Sequence, residues 1–240
     1  MTVRAFTAVT LFLLTTTVFI PANAAESPAL PALLELKYTL SYGDLTVGRA
    51  IKTLSREPDG RYRHRSHSIP LGMAKMFTSV EWFEEGQFEV VKGKVRPLSF
   101  LEYRVGADKD HRHSARFDWQ AMQILYKGWP TVALPPGAQD QGSFLYALML
   151  NPPAPGAQQS IHISSGKKLR VYRFGHAGTA TLKTALGTFK TTIVERLTSG
   201  KKAESLRVWL ATERGNLPVR ITTLQRGEET TLELESVRGL

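Results

Sequence analysis

The serine at the head of QDQGSFLYALML (139–150) is the first side chain in this chain with a spacing that invites chemistry. Asp140 stands three residues before Ser143. A hydrolase nucleophile needs Gly-x-Ser-x-Gly, because glycines on both sides allow the tight strand-to-helix turn. Here Gly142 directly precedes Ser143, and Phe144 and Leu145 follow, so the pattern is absent. An acid three residues ahead of a serine, just before an apolar run, fits a helix cap. Its carboxylate accepts from the N–H two or three positions on, and its charge suits the positive end of the helix dipole. We assign Asp140 as a structural helix cap and no residue as catalytic.

His111 and His113 are the best metal candidates. On a strand they share one face with Ala115 and Phe117, and a third ligand would have to come from elsewhere. His64 and His67 point opposite ways on a strand and cannot chelate together. No cysteine is present, so we expect neither a metal nor a cofactor. The acids Glu81, Glu84, Glu85, Glu102, Asp108, Asp110 and Asp118 show no recognisable catalytic pairing. Walker, dinucleotide and zinc-protease motifs are absent.

The elements that must position these groups are strands. In residues 34–40, Leu34, Leu36, Tyr38 and Leu40 alternate with Glu35, Lys37 and Thr39, the pattern of a strand with one buried face. Similar runs follow at 45–54, 61–69, 80–84, 88–91, 98–105, 111–117 and 122–126. They continue at 160–164, 168–174, 180–185, 188–197, 205–211, 219–225 and 230–237. Turn signals lie between them: Gly43-Asp44, Pro58-Asp59-Gly60, Glu85-Gly86, Asp118-Trp119-Gln120 and residues 175–178. Residues 70–77 break the rhythm and predict a short helix or cover. Residues 144–150 are apolar on nearly every face and predict a buried helix, a plug or lid, which Pro152 and Pro153 terminate. The fold class is therefore mainly β: an antiparallel meander forming a closed or incompletely closed β-barrel with one or two short helices.

Residues 1–24 read as a secretory signal peptide: Arg4, a threonine-diluted apolar run and an Ala-x-Ala site, with cleavage expected after Ala24. The run is too short for a comfortable span of about 20 residues. Residues 25–240 then form a single β-rich domain. Export without cysteine suits a bacterial periplasm. The formal net charge of +10 would allow peripheral contact with an anionic membrane surface, lipopolysaccharide phosphates or nucleic acid, and a solvated basic surface is the plainer reading. The cations alternate with apolar residues rather than gathering in one block, which excludes a nucleic-acid arm.

Several short motifs together resemble a known family: VRPLSF (95–100), RFDW (116–119), LPPGAQDQGS (134–143), LGTF (186–189), VWL (208–210) and LPVRI (217–221). In order and spacing they are similar to the exported bacterial domain of unknown function 3108, over roughly residues 36–237. The resemblance implies a periplasmic, largely antiparallel β-protein and carries no catalytic residues with it. A more distant likeness is to the lipoprotein-carrier half-barrels of the bacterial envelope. The expected function is non-enzymatic binding of a hydrophobic or amphiphilic envelope molecule in a barrel cavity. The expected ligand residues are Trp82, Phe100, Trp119, Phe144 and Leu148, with Arg104 and Arg116 for a headgroup. The alternative is an envelope scaffolding protein that binds a protein partner through a sheet edge.

Overall fold

A computed structural model describes residues 29–107, 111–197, 205–225 and 227–239. The expected leader with its cleavage site, and the acids Asp108 and Asp110, lie outside them. One arm of the sheet contains β1 (Leu33–Tyr42), β2 (Leu45–Arg56), β3 (Tyr62–Pro70), β4 (Glu81–Val91), β5 (Lys94–Val105), β6 (Arg112–Asp118), β7 (Gln123–Tyr126) and β8 (Val132–Ala133). The other contains β9 (Gln139–Asp140), β10 (Gln158–Ser164), β11 (Leu169–Thr184), β12 (Gly187–Leu197), β13 (Ser205–Ala211), β14 (Leu217–Gln225) and β15 (Glu228–Arg238), with helix α1 (Ser143–Leu150) after β9. Short 3-10 turns occupy Gly72–Met76 and Thr212–Arg214.

All these strands belong to one sheet. Each arm is a meander of sequence neighbours, and the arms join where β1 pairs antiparallel with β15. Every pairing is antiparallel except β9 with β10. The end strands, β8 and β9, do not pair with each other. The sheet is thus not closed by backbone hydrogen bonds. Its arms meet through side chains instead: Gln139 donates to the Val95 carbonyl at 2.9 Å, and the Tyr126 and Ser164 hydroxyls lie 3.1 Å apart.

Alternation explains the core. Leu34, Leu36 and Tyr38 of β1 are buried, while Glu35 and Lys37 between them form an ion pair. Helix α1 has no polar face to present to water. Leu145 and Leu148 pack against Ile161, Phe174, Val194, Val208 and Leu210 of the second arm. Tyr146, Met149 and Leu150 pack against Leu34, Leu54, Tyr62 and Phe88 of the first, together with Leu217, Val219 and Leu234. Burying one such side chain fully contributes about 1.5–3 kcal/mol. The helix therefore fills the space between the arms as packed core. We call the face of the sheet that packs against it the inner face.

Two turn expectations are overturned. Glu85-Gly86 is no hairpin: β4 runs unbroken through it, with Gly86 opposite His64 and Phe100. Residues 175–178 are no turn either. Strand β11 continues across them with a bulge between His176 and Gly178. A glycine inside a strand marks close approach or a bulge as readily as a turn.

Candidate functional site

Strand β3 sends Tyr62, His64 and Ser66 inward. His64 lies between two glycines. A Cβ on Gly86 would collide with its imidazole and come 2.8 Å from the Ser99 carbonyl oxygen. A Cβ on Gly142, at the entry to α1, would collide from the other side, 2.5 Å from Nδ1. Both glycines are there for space.

Asp140 sits beside this ring, its Oδ1 3.5 Å from His64 Nε2, beyond good hydrogen-bonding distance. That oxygen instead accepts the Gly142 and Ser143 N–H groups at 2.8 and 2.7 Å. Ser143 Oγ accepts the Asp140 N–H at 2.9 Å and donates to Gln139 Oε1 at 3.0 Å. The two residues thus bond reciprocally in the turn leading into α1; the N-cap position itself is Gly142, without a side-chain cap bond, so Asp140 stands two residues ahead of the expected cap. The serine hydroxyl is fully buried and makes no bond to His64, so serine, histidine and aspartate do not form a nucleophilic triad. His64 Nε2 and Asp140 Oδ2 are buried without a hydrogen-bond partner.

One rung further along the inner face, Lys52, Ser66, Glu84, Glu102 and His113 face one another across β2 to β6. Lys52 donates to Ser66 Oγ at 3.1 Å and lies 3.8 Å from Glu84. Glu84 and Glu102 are direct cross-strand partners, a pairing of carboxyl groups that the sequence did not display. Burial raises the Glu84 carboxyl above its ordinary pKa, the Lys52 and His64 charges work against this, and Glu102 and Asp140 add to it. Glu102 is held by His111 at 2.8 Å. Burial lowers the His113 imidazole, and the neighbouring Lys167 and His111 lower it further. The two imidazoles are in contact, with centroids 4.5 Å apart, but no group of three or more metal-holding side chains forms among the described residues.

The next rung pairs Trp82 with Arg104. The guanidinium lies 3.9 Å from the indole centroid, a cation–π contact. Trp82 Nε1 and Arg104 Nε are both buried and unpartnered.

A separate pocket of about 230 Å³ opens beside the entry to α1. Its lining mixes apolar Phe144, Ile163, Tyr172, Phe174 and Leu206 with basic Lys168, Arg170 and Arg196; Arg170 stands opposite Ile163 and Arg196 opposite Phe174 on neighbouring strands. Phe144 and Phe174 stack at 6.2 Å, and Arg196 covers the Tyr172 ring at 5.1 Å. Gln141, also in the lining, has a buried Oε1 with no partner.

The seven expected ligand residues therefore divide among several places. Trp82 and Arg104 come together, and Phe144 lines the pocket beside α1. Leu148 is fully buried against the second arm. Phe100 is fully buried with Ala115 and Phe117. Trp119 donates to the Pro97 carbonyl at 2.7 Å and carries Arg96 over its ring. Arg116 is exposed and lines an open groove with Arg63 and Lys127. Its one-residue offset from Ala115 and Phe117 puts it on the opposite, outer face. Lys168, Arg170 and Arg196 were missed, because their approach to Phe144 depends on the placement of α1.

The family model described as "Protein of unknown function (DUF3108)" matches residues 37–234. The chain belongs to the DUF3108 family. The fold of this DUF3108 protein is similar to a crystal structure of a beta-barrel-like protein of domain of unknown function DUF1849 from Brucella abortus. The TM-score is 0.56 at 11% identity, covering 86% of this chain and 97% of that one. At that identity the likeness speaks for the fold alone. No curated protein matches the DUF3108 chain in sequence.

Proposed function

We propose that this DUF3108 protein is a non-enzymatic periplasmic binding protein for an amphiphilic envelope molecule, a lipid or an acyl chain with an anionic head. The observation that supports this reading is the pocket at Phe144. Apolar and basic side chains line one concavity, the combination that holds an acyl tip and an acidic headgroup together. At about 230 Å³ the pocket takes part of such a molecule and leaves the rest outside.

The test is titration of the purified protein with cis-parinaric acid, a fluorescent fatty acid. Saturable binding at micromolar concentration is expected. A Lys168→Glu, Arg170→Glu double substitution should weaken it about tenfold, equivalent to about 1.4 kcal/mol. A lack of binding, or binding that ignores both the charge reversal and a Leu206→Trp filling of the wall, overturns the reading.

A second reading, strand addition by a protein partner, has one supporting observation. Strand β9 pairs only with Ile163 and Ser164 of β10, so the exposed Gln158, Gln159 and Ser160 lie along a sheet edge. Photo-crosslinking from position 159 in cells should then return one dominant protein; diffuse products count against it.

A further inference from the structure

The inner face of the amino-terminal arm changes character along its length. The rung of Leu54, His64, Gly86 and Phe100 is dry, with His64 2% and Phe100 1% exposed. One rung towards the start of β4, solvent reaches in: the side chains of Lys52 and Glu84 are 18% and 16% exposed. At the following rung Trp82 and Arg104 are half-buried. His111, whose carbonyl accepts the Arg104 N–H at 3.0 Å, is 25% exposed. The inner face therefore opens where β4 begins and β5 runs out.

Two donors at this opening have no acceptor among the described residues. Trp82 Nε1 and Arg104 Nε are buried atoms of part-exposed side chains, and neither bonds to anything. An unpaired buried donor costs about 1–3 kcal/mol. These two lie together, the guanidinium 3.9 Å from the indole centroid, and His111 meets the indole edge-on at 5.9 Å. Indole and guanidinium can only donate, so what complements them is an acceptor.

The neighbouring charges give that acceptor its sign. Glu84 and Glu102 face this end of the arm, and each has a partner: Lys52 lies 3.8 Å from Glu84, and His111 holds Glu102 at 2.8 Å. Asp140, further in beside His64, accepts two backbone N–H groups. Arg104 and Lys167 have no carboxylate partner among the described residues. Lys167 reaches in from the turn between β10 and β11, its Nζ 3.5 Å from His113 Nε2 and 5.9 Å from the Trp129 centroid. A Cβ on Gly166 would come 2.9 Å from the His113 Cβ, so this turn is seated against the sheet. Burial lowers the His113 imidazole, and Lys167, His111 and Arg104 lower it further against the opposing pull of Glu102. These cations therefore surround one position.

We propose that the opening bounded by Trp82, Arg104, His113 and Lys167 binds a small oxyanion, a phosphate or carboxylate group. Its oxygens accept from the indole and guanidinium N–H groups, and charge-assisted bonds of this kind are about twice as strong as neutral ones. None of the four residues lines the pocket at Phe144, although Lys168, next to Lys167, does. The site goes beyond the acyl-ligand reading and stands or falls separately from it.

The test is a nuclear magnetic resonance titration of the isotope-labelled protein with sodium phosphate and, separately, sodium acetate, in Bis-Tris chloride at constant ionic strength. The indole N–H signals are followed, and Trp82→Phe assigns the Trp82 signal by its loss. Saturable movement of that signal at millimolar anion is expected. The Trp119 indole, already bonded to the Pro97 carbonyl, should stay still. The anion that saturates at lower concentration identifies the group as phosphate or carboxylate. Lys167→Met should weaken binding about tenfold and Arg104→Met more, each with an unchanged thermal transition. Should Arg104→Met fail to fold, Lys167→Met decides alone. Three results overturn the proposal: no saturable movement with either anion, which leaves the two donors to water; equal movement of Trp119; or an affinity that Lys167→Met leaves unchanged.

Discussion

The His64 imidazole occupies the volume that a side chain on Gly142 would need. A Cβ there would lie 2.5 Å from Nδ1 and 3.1 Å from Nε2, although Gly142 has a φ of −89° that any residue adopts. The glycine is required by its neighbour and not by its own backbone. Gly142→Ala should therefore cost about 1–3 kcal/mol, the range for forcing extra volume into a packed interior. In His64→Ala, Gly142→Ala the added methyl has room, so the double variant should lose less than the two single losses combined. Urea denaturation of the four proteins measures the coupling. Simple additivity would mean that the two residues do not share this space.

Glu84 should give the protein a pH-dependent weakness. Its carboxyl is raised by burial, so as pH climbs past the ordinary carboxyl value the unfolded chain releases this proton while the folded one keeps it. Stability falls through that window and levels off once the folded carboxyl has ionised. Glu84→Gln has no proton to lose. Its stability relative to wild type should rise across the same window and stay constant below it. Chemical denaturation at stepped pH reads this directly, and a constant difference across the range would rule it out.

Leu148 and Phe144 lie on the same helix but should behave differently. Leu148 is fully enclosed by the second arm, and Leu148→Ala should cost about 2–5 kcal/mol. Phe144 is half-buried on the pocket wall. Phe144→Ala should cost less stability and weaken cis-parinaric acid binding more. Thermal unfolding paired with the fluorescence titration separates the two effects.

Strands and helix were legible because their signals are local. Alternation in residues 34–40 names the buried side of β1, and seven nearly continuous apolar residues after Ser143 demand burial. Gly86 was misread because glycine has the same local signature in a turn and in a strand that must clear a neighbour. That neighbour, His64, belongs to another strand. The charged rung from Lys52 to His113 was invisible for a related reason. Period two tells which face a side chain takes, but rung-by-rung alignment of five strands depends on register, which turns and bulges shift. The bulge between Gln87 and Phe88 is one such shift. Arg116 shows the opposite lesson, since its outer-face position already follows from the parity that places Ala115 and Phe117 inside.

The seam between β1 and β15 has a consequence for how the molecule comes into being. There Glu35 stands opposite Arg238, about two hundred residues away along the chain, whereas every other junction in the ribbon joins consecutive strands. Closing so long a loop costs conformational entropy that grows with the logarithm of its length. A chain leaving the ribosome amino end first can zip each hairpin as it appears, yet must hold β1 open until its last strand is made. Splitting the chain between β8 and β9 and splicing β15 to β1 would remove that wait, and such a permutant should refold faster than the natural order.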